Sequence, residues 1–164
     1  MSETKKASAS RTEQTYLIMP QHLNAAGRLF GGQLLSWIDM TAGIVALRHA
    51  DANIVTACID HLTFKDSAKK SDVVTLVGEV TYTGNTSMEI RIDTFKENKG
   101  GKKTWINRAY LVLVALDDVT GKPKKIPQLE IETEEQRREW QNAIERNRIR
   151  KLQRGMDVVV PQDF

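Results

Sequence analysis

An isolated aspartate, Asp39, lies in the middle of a segment that otherwise carries no acidic residue, GGQLLSWIDMTAGIVALRHA at residues 31–50. Aspartate is unfavourable in a helix interior, and a buried carboxylate costs free energy unless it is paired, hydrogen-bonded or protonated. Asp39 is therefore a candidate general base, because a carboxylate can accept a proton from water during hydrolysis. The alternative is a structural carboxylate that hydrogen-bonds a neighbouring loop or a second subunit.

Small and polar residues at the start of this segment and just before it could assist such a base. Gly31 and Gly32 lie where the predicted helix begins, and the first turn of a helix has unpaired N–H groups and a partial positive charge. Because glycine lets a substrate approach the backbone, these amides could stabilise an oxyanion; otherwise they shape a tight turn. Asn24 could hold a water molecule or a carbonyl oxygen, or be an ordinary turn residue. His22 could be an acid or base.

The predicted helix that positions Asp39 runs from Gly32 to Ala50, about 28 Å at 1.5 Å per residue. When its residues are assigned to faces by the helical period, two faces carry apolar side chains and the third carries mostly small ones. The apolar faces are Leu34, Ile38, Thr41 and Val45, and Trp37, Met40, Ile44 and Leu47; the small face is Gly32, Ser36, Asp39, Gly43 and Ala46. This pattern predicts an enclosed helix, with space beside Asp39 for a ligand or another backbone.

Segments of β-type pattern surround the helix in the sequence. A short strand is expected at residues 15–19, and four strands follow the helix, at residues 54–64, 73–83, 87–97 and 104–117. The segments 73–83 and 87–97 alternate in side-chain character with the period of a strand. Short turns at 84–86 and 98–101 favour antiparallel neighbours. The predicted fold class is α+β, with one long helix against one antiparallel sheet.

The two ends of the chain differ from this central part. Residues 1–12 are rich in Ser, Lys and Thr and are predicted to be a disordered tail, so that the folded domain spans residues 13–130. Residues 131–155 are predicted to form an added C-terminal helix, with Thr133 as its N-cap and Gly155 as its stop. Residues 156–164 are expected to be a second tail.

Length and composition bound the possible functions. The 164 residues are 40% hydrophobic and 27% charged, which is typical of one globular domain. The net charge of +3 is smaller than expected for a nucleic-acid-binding protein, and the single cysteine, Cys58, provides neither a disulfide nor a zinc-ligand cluster. No secretory pattern is visible, and no apolar run approaches the roughly 20 residues that span a membrane. We therefore expect a soluble cytoplasmic protein with no nucleic-acid or membrane partner.

Several motifs together resemble one protein family. The run MPQHLNAAGRLFGGQLLSWIDMTAGIVALRHA is similar to the Asn-x(n)-Phe-Gly-Gly-x(n)-Asp signature of hotdog-fold acyl-CoA thioesterases. The segments VTACIDHLTF, GNTSME and AYLVLVALDDVTGKPKKIP resemble the same family in the same order, so that the likeness covers about residues 13–155. It implies a long helix wrapped by a curved antiparallel sheet, a dimer whose sheets join edge to edge, and often a trimer of such dimers. It also implies hydrolysis of acyl-CoA without a metal or organic cofactor.

The resemblance also implies roles for single residues. Asp39 matches the catalytic carboxylate and Asn24 its partner amide, and in the family these two meet across the dimer. Gly32 or its neighbour Gly31 matches the backbone oxyanion donor. Activation of water by Asp39 and direct attack by its carboxylate through an anhydride both remain open. The sequence departs from the family after Phe64, where a usual Pro and a Gly-Asp pair are replaced by Ser67 and by Ser71-Asp72.

Basic side chains are expected along the path of CoA, because its phosphates are anionic. Candidates are Lys65, Lys69 and Lys70, the pairs Lys102/Lys103 and Lys124/Lys125, and the C-terminal run Arg146, Arg148, Arg150, Lys151 and Arg154. Thr86 and Ser87, in the turn between two predicted strands, could add hydrogen bonds. Each of these residues could equally be part of an ordinary solvated surface.

Three other functions fit parts of the sequence. A hotdog hydratase or dehydratase would use a histidine such as His22 with Asp39, although the proline-rich loop usual around that histidine is missing. A non-catalytic acyl-CoA-binding protein would leave Asp39 unexplained. A nucleic-acid binder could use the basic C-terminal helix, but that helix lacks interleaved aromatic residues.

Overall fold

Five strands form one antiparallel sheet in the computed structural model, which describes residues 3–156. The strands are β2 (Thr12–Leu17), β3 (Asn53–Phe64), β4 (Val73–Thr83), β5 (Ser87–Glu97) and β6 (Lys103–Leu116). The order across the sheet is β2–β4–β5–β6–β3, and every neighbouring pair is antiparallel. The predicted α+β architecture is confirmed, and the four strands after the helix lie within one residue of their predicted bounds.

The long helix α2 (Gly31–Ala50) packs on one face of the sheet, and the sheet curls around it so that α2 contacts all five strands. The shared core contains Leu34, Ile38, Ala42 and Val45 from the helix and Leu76, Ile90, Ile92, Leu111 and Leu113 from the strands. At Gly78 of β4, a Cβ atom would lie 2.8 Å from side-chain atoms of both Val45 and Ile92. The close approach of helix and sheet therefore requires glycine there.

One stripe of α2 remains uncovered, and the prediction of a fully enclosed helix is wrong for a single chain. Met40 and Leu47 are 48% and 49% exposed, Ser36 is exposed, and Asp39 is half-buried. The reason is geometric, because the sheet encloses the side of the helix that carries Leu34, Ile38 and Val45 and leaves the opposite side open. The helical period shows that a face is apolar or small but not which molecule covers it.

The N-terminal segment is ordered from residue 3, so the prediction of a disordered tail over residues 1–12 is wrong for residues 3–12. Strand β1 (Thr4–Lys6) pairs in parallel with β7 (Gln128–Glu130), and the short helix α1 (Ala7–Ser10) buries its first and last residues against α2. Ser10 Oγ lies 3.4 Å from Nδ1 of the buried His49. The backbone pairing and small buried side chains stabilise a segment whose composition suggests a tail.

The structure confirms the C-terminal helix predicted over residues 131–155, which is α3 (Glu134–Arg154). The hydroxyl of Thr133 accepts a hydrogen bond from the backbone N–H of Gln136 at 3.2 Å, which is an N-cap. The helix ends at Gly155. The predicted tail begins at residue 156, and its residues 157–164 lie outside the described part of the chain. Among the described helices, none combines the length and apolar character needed to cross a bilayer.

Helix α3 packs through ion pairs on the face of the sheet opposite α2. The carboxylate of Glu89, which is 1% exposed, accepts a hydrogen bond from Arg146 at 2.7 Å and contacts Arg150, and Thr81 donates to it at 2.7 Å. Burial raises the pKa of the Glu89 carboxyl, but the hydrogen bonds from Arg146, Arg150 and Thr81 outweigh burial and hold that pKa below its usual range. This stabilisation is present at neutral pH and is lost as the pH falls through the folded-state pKa.

Replacing Glu89 by glutamine is expected to lower the free energy of unfolding by about 1.5–3 kcal/mol, because two arginines then lose their most deeply buried carboxylate partner. Arg146 keeps its pair with Glu139, and Arg150 keeps its pair with Asp60. Urea denaturation followed by circular dichroism measures the change. The matched control is Glu145→Gln, which breaks an exposed pair with Arg148, and we expect it to cost less than about 1 kcal/mol. Equal losses in the two variants would contradict the prediction.

Candidate active site

Asp39 lies on the uncovered stripe of α2, where its carboxylate meets the edge strand β3. The hydroxyl of Thr56 donates a hydrogen bond to Asp39 Oδ1 at 2.7 Å. A β-bulge follows Thr56 in β3, so the strand is locally irregular at this contact. The hydrogen bond fixes the orientation of the carboxylate and leaves Oδ2 for another partner. The predicted acid is thus held in place at an open face, although it is not buried in the single chain.

Asn24 lies in the loop that leads into α2, and its side chain shapes that loop. Its Oδ1 accepts hydrogen bonds from the backbone N–H groups of Ala26 at 2.9 Å and Arg28 at 3.2 Å. Gly27 has a φ of +71°, which favours glycine at this tight turn. Within residues 3–156, the His61 side chain apart, no group accepts a hydrogen bond from the Asn24 amide nitrogen. The loop therefore fixes the amide oxygen and leaves the amide N–H groups for a ligand.

The start of α2 borders a cavity of about 210 Å³. Its lining residues are mostly apolar and include the predicted Asn24 and Gly31: Asn24, Arg28, Leu29, Gly31, Leu34, Phe64, Asp66, Ser67, Ala68 and Ile106. The next residue, Gly32, is exposed, and a Cβ atom there would lie 2.6 Å from the Phe30 ring. As the first residues of the helix, Gly31 and Gly32 have N–H groups without intrahelical acceptors. An apolar cavity beside free amide donors suits an acyl group and its carbonyl oxygen.

A single chain does not bring all predicted catalytic residues together. Asn24 and Gly31 share the cavity, but Asp39 does not line it. Eight residues separate Gly31 from Asp39, which is about 12 Å along the helix axis. Each chain therefore carries two half-sites, one with the amide donors and one with the carboxylate.

His22 does not pair with Asp39. Its Nδ1 accepts a hydrogen bond from the backbone N–H of Met19 at 3.0 Å, and its ring meets the edge of the buried Trp37 ring, with centroids 5.0 Å apart. Because Trp37 and Asp39 are two residues apart, they point to nearly opposite sides of α2. A histidine–carboxylate pair from His22 and Asp39 is therefore not formed within the chain.

The predicted CoA-binding lysines Lys65, Lys69 and Lys70 lie in the exposed loop between β3 and β4. This loop is ordered despite its departures from the family pattern. The Asp72 carboxylate accepts a hydrogen bond from the backbone N–H of Lys69 at 3.0 Å. Ser71, where the family usually has glycine, adopts a left-handed φ of +72°. The backbone conformation that favours glycine is thus kept with a serine.

Thr86 and Ser87 lie at the other end of the sheet. Strand β4 separates the β3–β4 loop, which carries the three lysines, from the turn before Ser87. Its 11 residues span about 35 Å when extended. Both residues are half-buried. The phosphates of one CoA molecule therefore cannot contact both predicted sets of residues in the same chain.

Two residues of the site were missed by sequence reasoning. Thr56 appears in the sequence only as one of several β-branched strand residues, and its contact with Asp39 depends on the packing of β3 beside α2. Arg28 lines the Asn24 cavity, and its Nη1 donates to Ser67 Oγ at 2.7 Å. The position of Arg28 three residues before the glycine pair (RLFGG) was the available signal, because it places a cation next to the helix start.

Comparisons with known proteins agree with this fold. A family model described as the thioesterase superfamily matches residues 26–102. An uncharacterized acyl-CoA thioester hydrolase of Bacillus subtilis is 35% identical over 150 residues, which are 91% of this chain and 87% of that protein. The cytosolic acyl coenzyme A thioester hydrolase of mouse is 34% identical over 86% of this chain. This chain spans only 38% of the length of the mouse protein and of its rat counterpart.

Solved structures resemble the chain over nearly its whole length. An apo-hexameric acyl-CoA thioesterase has a TM-score of 0.90 and 39% identity, covering 94% of this chain and 99% of that one. The acyl-CoA hydrolase of Staphylococcus aureus, solved with butyryl coenzyme A and coenzyme A, has a TM-score of 0.86 and 34% identity, covering 92% of each chain. The chain belongs to the hotdog-fold acyl-CoA thioesterase family.

The Staphylococcus aureus structures also include three alanine variants, of an asparagine, an aspartate and a threonine. The replaced positions are separated by 15 and 17 residues. Asn24, Asp39 and Thr56 have the same types, order and separations in this chain. The three polar residues that the geometry singles out thus correspond to positions chosen for substitution in a relative.

Proposed function

We propose that the protein hydrolyses acyl-CoA thioesters to a free acid and CoA. The observation that carries this proposal is the Asp39 carboxylate, fixed by Thr56 at 2.7 Å on an open helix face. The apolar cavity with the free amide groups of Gly31 and the Asn24 side chain supplies a second half-site. The activity in the names of the relatives supports the same reaction, and their cytosolic members support a cytoplasmic location.

The complete site forms, on this proposal, between two chains. Strand β3 is an edge of the sheet, and Val55 and Ile59 on it are 45% and 38% exposed. An unpaired edge with exposed apolar residues invites pairing with another chain. Pairing of two β3 strands would extend the sheets edge to edge, cover the open stripe of α2, and bring Asn24 of one protomer to Asp39 of its partner. The hexameric relative supports a further assembly of three dimers.

The reaction follows from the roles of these groups. Asp39 accepts a proton from water while the water oxygen attacks the thioester carbonyl carbon. The Gly31 and Gly32 amides stabilise the negative charge that develops on the carbonyl oxygen, and the Asn24 amide orients the water or that oxygen. Collapse of the tetrahedral intermediate breaks the carbon–sulfur bond, and the CoA thiolate takes up a proton. These steps use protein groups and water, with no metal or organic cofactor.

Thiol release from acetyl-, hexanoyl- and palmitoyl-CoA tests the proposal directly. Hydrolysis of at least one substrate with one free thiol per acid is the expected result. Conversion of an enoyl-CoA to a hydroxyacyl-CoA without free thiol would instead identify a hydratase, and binding without turnover would identify a carrier. Single-turnover hydrolysis in ¹⁸O water separates the two mechanisms, because attack by the carboxylate itself places the label in Asp39.

Loss of the Thr56 hydroxyl is expected to lower kcat about tenfold, because Asp39 then loses the hydrogen bond that orients it. Thr56→Val keeps the shape of the side chain and removes the donor, whereas Thr56→Ser keeps the donor. Steady-state hydrolysis of butyryl-CoA by both variants measures the effect. We expect the serine variant to retain most of the wild-type kcat, and similar losses in both variants would show that the hydrogen bond is not responsible.

A further inference from the structure

A second cavity adjoins the Asn24 cavity, which is the apolar one that also contains Gly31. It has a volume of about 380 Å³ and shares Arg28, Asp66 and Ser67 with the Asn24 cavity. We call it the Lys69 cavity, and its polar lining residues are Arg28, Asp66, Ser67, Lys69, Asp72 and Lys96. An apolar cavity is thus followed by a charged one, with Arg28 and Ser67 at the boundary between them.

Two loops that are fixed to each other form this boundary. The backbone N–H of Leu29 donates to the carbonyl of Ala68 at 2.8 Å, and Arg28 and Lys69 form an isolated antiparallel β-bridge. The guanidinium of Arg28 donates through Nη1 to Ser67 Oγ at 2.7 Å. Ser67, one of the departures from the family pattern, therefore supplies the acceptor that holds Arg28 beside the Asn24 cavity.

Two cations lie side by side at the boundary. The side chains of residues directly opposite each other in an antiparallel pair are neighbours, and like charges in that arrangement are destabilising. Among the ion pairs of residues 3–156, which include Lys96 with Asp66 at 2.6 Å, none involves Arg28 or Lys69. The buried Asp72 carboxylate accepts a hydrogen bond from the backbone N–H of Lys69. The charges of Arg28 and Lys69 are therefore available to an anionic group of a ligand.

The Asn24 cavity has room for a short acyl chain. Its volume of about 210 Å³ is that of about seven water molecules in the liquid, and Leu29, Leu34 and Ile106 are among its apolar walls. A chain of about six carbon atoms therefore fills it, and a group at the end of that chain reaches the boundary with the Lys69 cavity. A longer unsubstituted chain would instead bring methylene groups against charged side chains.

We propose that this acyl site selects CoA thioesters of short dicarboxylic acids. The thioester carbonyl lies at the Gly31 amide, the methylene chain fills the Asn24 cavity, and the terminal carboxylate lies between Arg28 and Lys69. A guanidinium suits this carboxylate because its planar N–H groups form paired hydrogen bonds with two oxygen atoms.

This inference rests on the proposed thioesterase function and deepens it, because it names the class of acyl group. The acyl site lies within the chain that supplies Asn24 and the glycine amides. It is therefore compatible with a dimer in which Asp39 comes from the other chain.

The test compares adipoyl-CoA with hexanoyl-CoA, which have acyl chains of equal length and differ in the terminal carboxylate. We expect the wild-type kcat/KM to be about 10- to 100-fold higher for adipoyl-CoA, the usual effect of hydrogen bonds to a charged group. In Arg28→Gln, the ratio of the two kcat/KM values should fall about tenfold or more. Arg28→Lys keeps a positive charge and should retain a preference for adipoyl-CoA.

The matched control is Arg11→Gln, which makes the same change at an exposed arginine outside both cavities and should keep the wild-type ratio. Loss of a contact with CoA phosphates, or of loop structure, would slow both substrates equally. An unchanged ratio in Arg28→Gln therefore overturns the proposal. A wild type that hydrolyses other acyl-CoA esters without favouring adipoyl-CoA also overturns it and leaves the thioesterase function in place. If the wild type releases thiol from no acyl-CoA, the thioesterase function itself fails.

Discussion

Replacement of Asp39 by asparagine is expected to lower kcat for acyl-CoA hydrolysis by about 10²- to 10⁴-fold, the usual contribution of a general base. Asparagine keeps the size of the side chain and can still accept the hydrogen bond from Thr56, so the local packing should survive. Only the ability to take a proton from water is lost. Thiol release with butyryl-CoA measures the change, and circular dichroism with urea denaturation checks that the variant is folded.

The control for this substitution is Asp118→Asn, which makes the same chemical change at an exposed carboxylate outside the site. We expect it to retain wild-type turnover. A fully active Asp39→Asn variant would move the chemistry to another group and remove the assigned base. A loss in both variants would point to an effect of charge on the whole protein.

Mixing two inactive variants is expected to restore about a quarter of the wild-type activity if each site joins residues of two chains. Asp39→Asn chains keep Asn24, and Asn24→Ala chains keep Asp39. Random pairing gives half heterodimers, and each heterodimer has one of its two symmetric sites intact. The chains are mixed under conditions that allow subunit exchange, and thiol release is followed until it is constant.

The result separates a shared site from a site within one chain. If Asn24 and Asp39 of the same chain acted together, no pairing could produce an intact site and the mixture would stay inactive. As a control, a mixture of Asp39→Asn with Thr56→Val chains should remain at the level of its components. Those two residues contact each other within one chain, so neither chain of a heterodimer contains an intact Asp39–Thr56 pair.

Local patterns in the sequence account for much of the fold. The alternation at residues 73–83 and 87–97 depends only on neighbouring side chains, and the observed strands have the same bounds. The predicted end of the central helix at Ala50 is also correct. The next residue, Asp51, adopts a left-handed conformation, which terminates the helix. Features that depend on distant partners were not predicted. Strand β1 pairs with residues more than 120 positions away, and its polar composition gives no sign of that partner.

The site shows the same division between local and distant information. Asp39 and the glycine pair were candidates from their types, because an acid in an apolar helix and glycines at its start are unusual locally. Asn24 became a candidate only through the family resemblance, since by type it could be an ordinary turn residue. The contact of Thr56 with Asp39 depends on the packing of β3 beside α2, which no local pattern fixes. The separation of the half-sites was likewise invisible without the fold, although the family resemblance implied a shared site.

The pairing of β1 with β7 has a consequence for how the chain reaches its native state. Thr4 is opposite Gln128, so the first strand cannot find its partner until most of the chain has been synthesised. Helix α2 likewise emerges from the ribosome before four of the five strands that cover it. Such long-range contacts slow folding and leave apolar surface exposed to aggregation in the meantime. We therefore expect slow refolding, with the N-terminal segment among the last parts to gain protection from hydrogen exchange.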